Sequence, residues 1–92
     1  MYSVSTTPYE MSKALAERHK ALRKRLKLSQ SEMAERSGVS LGSLKRFEST
    51  GKISLESLLK LAHLLNRLED FNKLFQARED QSHIENLFTS NL

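Results

Sequence analysis

Residues 29–51, SQSEMAERSGVSLGSLKRFESTG, decide how this chain folds. Two short stretches inside them each open on a serine and close on a glycine. Ser29 and Glu32 stand at capping-box spacing: the serine hydroxyl accepts from the amide three residues on, and the glutamate returns the bond. The helix so opened holds Met33 and Ala34 and runs into Gly38, where a left-handed backbone is easiest without a Cβ. Ser40 opens the next helix, whose inward residues are Leu44 and Phe47, and Gly51 ends it. Ala34 is small where two helices approach closely, while Val39 and Leu44 fill the angle between them. Each is an ordinary core or turn residue by itself; their joint spacing predicts two helices packed through a tight turn. That is a helix-turn-helix, whose chief use is to set its second helix in the major groove of DNA.

Upstream, Met1 to Thr6 have no periodicity, and residues 1–7 read as a flexible arm. Thr7-Pro8-Tyr9-Glu10 is another capping box, with proline in the first turn. It predicts a long helix from Pro8 to Leu26 with Met11, Leu15, Leu22 and Leu26 recurring at near-helical spacing. Downstream, Ser54 opens a fourth helix with Leu55, Leu58, Leu59, Ala62 and Leu65 on one broad stripe, and Asn66 can close it in a left-handed conformation. Leu68, Phe71, Leu74 and Phe75 fit a short fifth helix. The expected fold is therefore all-α, with five helices in a domain over residues 8–75. Residues 76–92 are polar apart from Ile84, Leu87 and Phe88, and read either as a dimer or partner contact or as a disordered end.

Ninety-two residues allow one modest core. The absence of cysteine excludes disulfides, thiolate zinc sites and thiol nucleophiles. No apolar run long enough for a membrane span and no leader pattern is present, so a cytoplasmic, nucleoid-associated protein is expected. Residues 1–52 carry 11 Lys/Arg against 5 Asp/Glu, and residues 53–92 carry 4 against 6. A basic first half and a mildly acidic second half suit one face for a polyanion and another for something else. An enzyme is not expected. His19, His63 and His83 are scattered and read as surface histidines, Glu69-Asp70 as a solvated pair. No phosphate-cradling glycine loop or nucleophile elbow is seen. No metal or cofactor is called for.

Leu28-Ser-Gln-Ser-Glu-Met-Ala34, then Ser37-Gly-Val-Ser40, Leu44-Lys-Arg-Phe-Glu48 and Gly51, resemble the phage-repressor-like (Xre/Cro/lambda repressor) family of DNA-binding domains. The resemblance covers roughly residues 13–66. It implies a five-helix domain, usually a homodimer, whose third helix reads a pseudo-palindromic double-stranded operator. It also implies that Gln30 anchors a backbone phosphate. Arg23 and Glu48 match a pair that links the first helix to the end of the third and orients the arginine towards phosphates; a purely structural pair is the alternative. At Leu41 and Gly42 this chain departs from the better-known members, which often carry hydrogen-bonding side chains there. Leu41 can touch a thymine methyl and Gly42 can allow close backbone approach, leaving direct readout to Ser43 and Arg46, with a share for Lys45. An arginine can grip guanine O6 and N7 in bidentate fashion. Lys45, Ser40 and Lys52 are candidate phosphate contacts, as are Arg23 and its basic neighbours to Lys27.

Residues 40–51, with Ile53–Ala62 and Asn66–Phe75, are similar to a narrower group, the small HipB-like antitoxins encoded beside HipA-type kinase toxins. That resemblance implies a repressor that autoregulates a toxin–antitoxin operon and binds a HipA-like kinase partner. The alternative from another class is a protein-interaction module that neutralises the kinase by direct contact, with DNA binding secondary.

Overall fold

Each α-helix among the described residues begins where a side-chain hydroxyl can take up a free backbone amide. The computed structural model describes residues 6–77. Within them α1 spans Pro8–Arg25, α2 Gln30–Ser37, α3 Leu41–Thr50 and α4 Leu55–Leu64. Thr7 Oγ1 accepts from the Glu10 amide at 3.1 Å while the Thr7 amide donates to Glu10 Oε1 at 2.9 Å. Ser29 and Glu32 exchange the same two bonds at 3.0 and 2.8 Å. Ser40 and Ser54 cap α3 and α4 by accepting from the amides of Ser43 and Ser57, each at 3.1 Å. Such a cap contributes about 1 kcal/mol, which matters most for α2, α3 and α4, each too short to persist alone.

The two glycines that end helices of the motif take the left-handed backbone, Gly38 at φ 81° and Gly51 at φ 83°. Their surroundings differ. A Cβ on Gly38 would meet open space, whereas one on Gly51 would lie 2.9 Å from the Ser12 carbonyl carbon. Gly51 therefore ends α3 and also lets that end press against the backbone of α1. Lys13 reinforces the junction by donating from Nζ to the Ser49 carbonyl at 3.0 Å.

The core lies where α1 and α2 pack against α3 and α4 packs against α2. Met33, Leu44, Phe47 and Leu61 are fully buried, joined by Ala16, Ala34 and Val39. Leu15, Leu28, Leu41, Ile53, Leu58, Leu64 and Leu65 pack against this cluster while half-buried.

Three expectations change. First, α1 keeps its expected bounds, with Leu26 as its C-cap, but its buried line is Ala16, His19 and Arg23, flanked by half-buried Leu15 and Leu22; Met11 and Leu26 are 45% and 52% exposed. Two polar residues hold the inward positions because they form a buried hydrogen-bonded cluster. Second, α4 buries Leu61 and Ala62, while Leu55 is 64% exposed. Asn66 does close this helix, at φ 61°. Third, the described residues contain four α-helices rather than five. In place of the fifth stands one 3₁₀ turn, Leu68–Phe71, with no side-chain cap. Its extension to Phe75 would gain no packing among these residues, since Leu74 is 56% and Phe75 96% exposed. The expectations for residues 1–5 and 78–92 lie outside the described residues.

Candidate nucleic-acid interface

α3 divides along its length. Leu44, Phe47 and Glu48, at i, i+3 and i+4, are buried, and this leaves Gly42, Ser43, Lys45, Arg46, Ser49 and Thr50 on the exposed side. Four of the sequence-nominated residues (Gly42, Ser43, Lys45 and Arg46) thus share one outward surface. Leu41 stands apart from them: it is half-buried and packs against the core. Ser40 uses its hydroxyl within the motif, capping α3 and donating to Ser43 Oγ at 2.8 Å. Ser43 keeps its own hydroxyl proton for an outside acceptor.

The far end of this surface runs into a cleft of about 190 Å³ lined by Ser43, Arg46, Lys52, Ile53, Ser54 and Ser57. The cleft joins the outward face of α3 to the N-terminus of α4. Two cations, three hydroxyl groups and the positive end of a helix dipole there favour an anionic ligand. Thr50 shapes the approach: its hydroxyl donates to the Arg46 carbonyl at 2.6 Å and accepts from the Lys52 amide at 3.1 Å. Sequence spacing does not mark Ser54 and Ser57 as site residues, although the capping serine at 54 marks the helix N-terminus.

Behind α3 lies a charged cluster that sets its position. Glu48 is 9% exposed and accepts four hydrogen bonds. Arg23 donates from Nε and Nη2, both at 2.9 Å, in the two-pronged geometry that suits guanidinium and carboxylate. Gln30 donates from Nε2 at 3.0 Å, and His19 Nδ1 lies 2.8 Å from Glu48 Oε2. Arg23 also donates from Nη1 to the Leu28 carbonyl at 2.7 Å. The cluster therefore ties α1, the α1–α2 loop and the start of α2 to the last turn of α3. Arg23 is 5% exposed with all three nitrogens engaged, so it holds Glu48 and presents no free fork outward. Gln30 is half-buried at the first position of α2, and its amide nitrogen has a second proton beyond the one given to Glu48.

His19, read from the sequence as a surface residue, is 8% exposed, with its ring edge against Phe47 at a centroid distance of 5.6 Å. Spacing alone could have flagged it, because it falls between Ala16 and Arg23 on one face of α1. Burial lowers its pKa below the ordinary 6.5, against the opposing pull of Glu48. A carboxylate facing Nδ1 makes that nitrogen the donor in the neutral ring. Burial alone would raise the Glu48 pKa, but the hydrogen bonds from Arg23, Gln30 and His19 outweigh it and hold it below its ordinary value. Glu48 is thus the ionised acceptor at the centre.

A two-helix unit packed through a left-handed glycine, with basic and hydroxyl groups on the exposed side of its second helix, defines a helix-turn-helix domain. A helix-turn-helix family profile (HTH_3) matches residues 20–71, more than half of the chain, and the protein belongs to that family. Membership supports DNA binding and transcription regulation. No curated protein matches the chain. Among the described residues no helix is long and apolar enough to cross a membrane, and no three His, Asp or Glu groups gather as a metal site.

Proposed function

We propose that the protein is a sequence-specific transcriptional repressor that binds a pseudo-palindromic operator as a homodimer through α3. The observation that carries this reading is the continuous surface of Gly42, Ser43, Lys45 and Arg46 leading into the Arg46–Lys52–Ser54 cleft. Arg46 reads a guanine edge, Ser43 offers a single hydroxyl, and Gly42 permits close approach. Lys45, Lys52, Gln30 and the amides opening α4 take phosphates. So few side chains can read bases that sequence-dependent DNA shape supplies part of the specificity. Leu41 and Ser40 support the helix start more than they read, and Arg23 positions α3 through Glu48.

Selection from a pool of random duplexes tests this. The expected product is an inverted repeat with half-site centres about one helical turn, ~34–36 Å, apart. Recovery of single half-sites would remove the dimer from the reading, and recovery of no shared sequence would remove specific readout.

The finer proposal is an antitoxin that autoregulates its toxin–antitoxin operon and meets a HipA-type kinase, supported by the resemblance of residues 40–75 to HipB-like proteins. The second reading, a protein-interaction module with DNA binding secondary, draws on exposed Leu55, Leu68, Leu74 and Phe75, apolar surface available to a partner or a second copy. A stoichiometric kinase that co-purifies at high salt, where phosphate contacts fail, would favour the second reading.

A further inference from the structure

Away from α3, a groove of about 500 Å³ runs between α1, α4 and the 3₁₀ turn. Leu15, Leu22, Leu58, Leu61, Leu65 and Phe71 supply its apolar walls. Arg18, Arg25 and the Arg67–Asp70 pair (2.9 Å) also line it. Arg18 and Arg25 have no ion-pair partner among the described residues. His19 lines the groove too, and its Nε2 is buried with no hydrogen-bond partner among the described residues. With Nδ1 committed to Glu48, Nε2 of the neutral ring is an acceptor that needs a donor. An apolar trough flanked by two arginines calls for an occupant that is apolar on one side and acidic on the other.

We infer that the groove is the docking site of the chain's own C-terminal segment, residues 80–91, seated with Ile84, Leu87 and Phe88 between α1 and α4. Those three residues stand at i, i+3 and i+4, the spacing of one helical face. Asp80 and Glu85 in the segment, and Glu79 before it, complement Arg18 and Arg25. The described chain stops at Ala77, six residues after groove-lining Phe71, and seven further residues reach Ile84. Seven residues span at most about 23–25 Å, so Ile84 is tethered close to the wall that Phe71 forms. A tether this short keeps the local concentration of the segment high, which favours it over a segment from another copy. No α3 residue lines the groove, so docking leaves the DNA-facing surface open and this inference does not depend on the DNA reading.

Nuclear Overhauser spectra of the full chain test the contact directly. The expected result is cross-peaks from Ile84, Leu87 or Phe88 to the methyl groups of Leu15, Leu58 or Leu65, absent when isotope filtering on a mixture of labelled and unlabelled chain selects contacts between copies. In the doubly substituted Ile84→Ser, Phe88→Ser chain, which leaves the core residues untouched, these cross-peaks are lost and the groove methyl resonances shift. Unchanged groove resonances in that variant, or no cross-peaks in the original chain, would overturn the inference. Cross-peaks that survive the filter would overturn it in favour of a second copy.

Discussion

Removing the carboxylate of Glu48 is the perturbation with the largest expected effect. Its side chain is 2% exposed and that of Arg23 7% exposed, so neither group can turn to water without opening the core. Glu48→Ala leaves the Arg23 guanidinium buried beside a cavity, and strips Gln30 and His19 of their common acceptor. Breaking one side of a buried ion pair costs about 3–5 kcal/mol. A chain of this size unfolds with roughly 5–14 kcal/mol, so between about a fifth and nearly all of its stability should go. At 4–8 °C per kcal/mol, the melting temperature should fall by roughly 12–40 °C. Urea unfolding followed by circular dichroism measures the loss. The double variant Arg23→Met, Glu48→Leu should recover the part owed to the unpaired Arg23 charge, while His19, Gln30 and the Leu28 carbonyl still lack their partners. A Glu48→Ala loss below about 1 kcal/mol would refute the account of the cluster as a buried tie between α1 and α3. A double variant as unstable as the single one would show that the missing charge was not the cause.

Other outcomes follow from particular contacts. Gly38→Ala and Gly51→Ala both force a left-handed backbone on a residue with a Cβ, costing about 1 kcal/mol or more; Gly51→Ala adds a 2.9 Å clash with Ser12, so it should be clearly the worse in urea titrations. His19 and Glu48 both have folded-state pKa values below their ordinary 6.5 and 4.5. The unfolded chain therefore binds more protons in each window, and stability should fall as pH drops below 6.5 and again below 4.5. His19→Phe should abolish the upper step in urea titrations run between pH 7.5 and 4, and persistence of that step would place its origin elsewhere. For DNA, Arg46→Ala should lose about 1–3 kcal/mol of discrimination at one base position in competition binding. Lys45→Ala should weaken binding to every sequence and lower the salt slope by about one. Equal loss on cognate and scrambled duplexes for Arg46→Ala would mean that this arginine reads no base.

The parts of the fold legible in the sequence are those governed by local chemistry. Ser29 with Glu32, Thr7 with Glu10, Ser40 and Ser54 each satisfy amides three residues away, and Gly38 and Gly51 each supply a backbone few other residues adopt. These features need no knowledge of the partner surface. Periodicity does not show the buried face of α1 because it counts apolar residues, and here His19 and Arg23 occupy buried positions through hydrogen bonds to Glu48, 29 and 25 residues away. Leu61 was missed on α4 because that helix is apolar on several sides, and only packing selects between them. The fifth helix failed for the opposite reason. Leu68, Phe71, Leu74 and Phe75 have helical spacing, yet no cap opens the segment and Phe75 is 96% exposed, so neither local nor tertiary energy extends it past one 3₁₀ turn. In the candidate interface, spacing placed Ser43, Lys45 and Arg46 outward correctly. It did not reveal that Leu41 packs on the core, that Arg23 is enclosed, or that Ser54 and Ser57 complete a cleft with Arg46 and Lys52.

The central claim is specific DNA recognition through α3, and the most direct test compares two duplexes across a salt series. One carries the DNA upstream of the protein's own gene and the other a scrambled sequence of equal length and composition. The account predicts a preference of about 10³-fold or more for the upstream duplex, with affinity falling steeply as salt rises. Equal, weak binding to both duplexes at every salt concentration would contradict it.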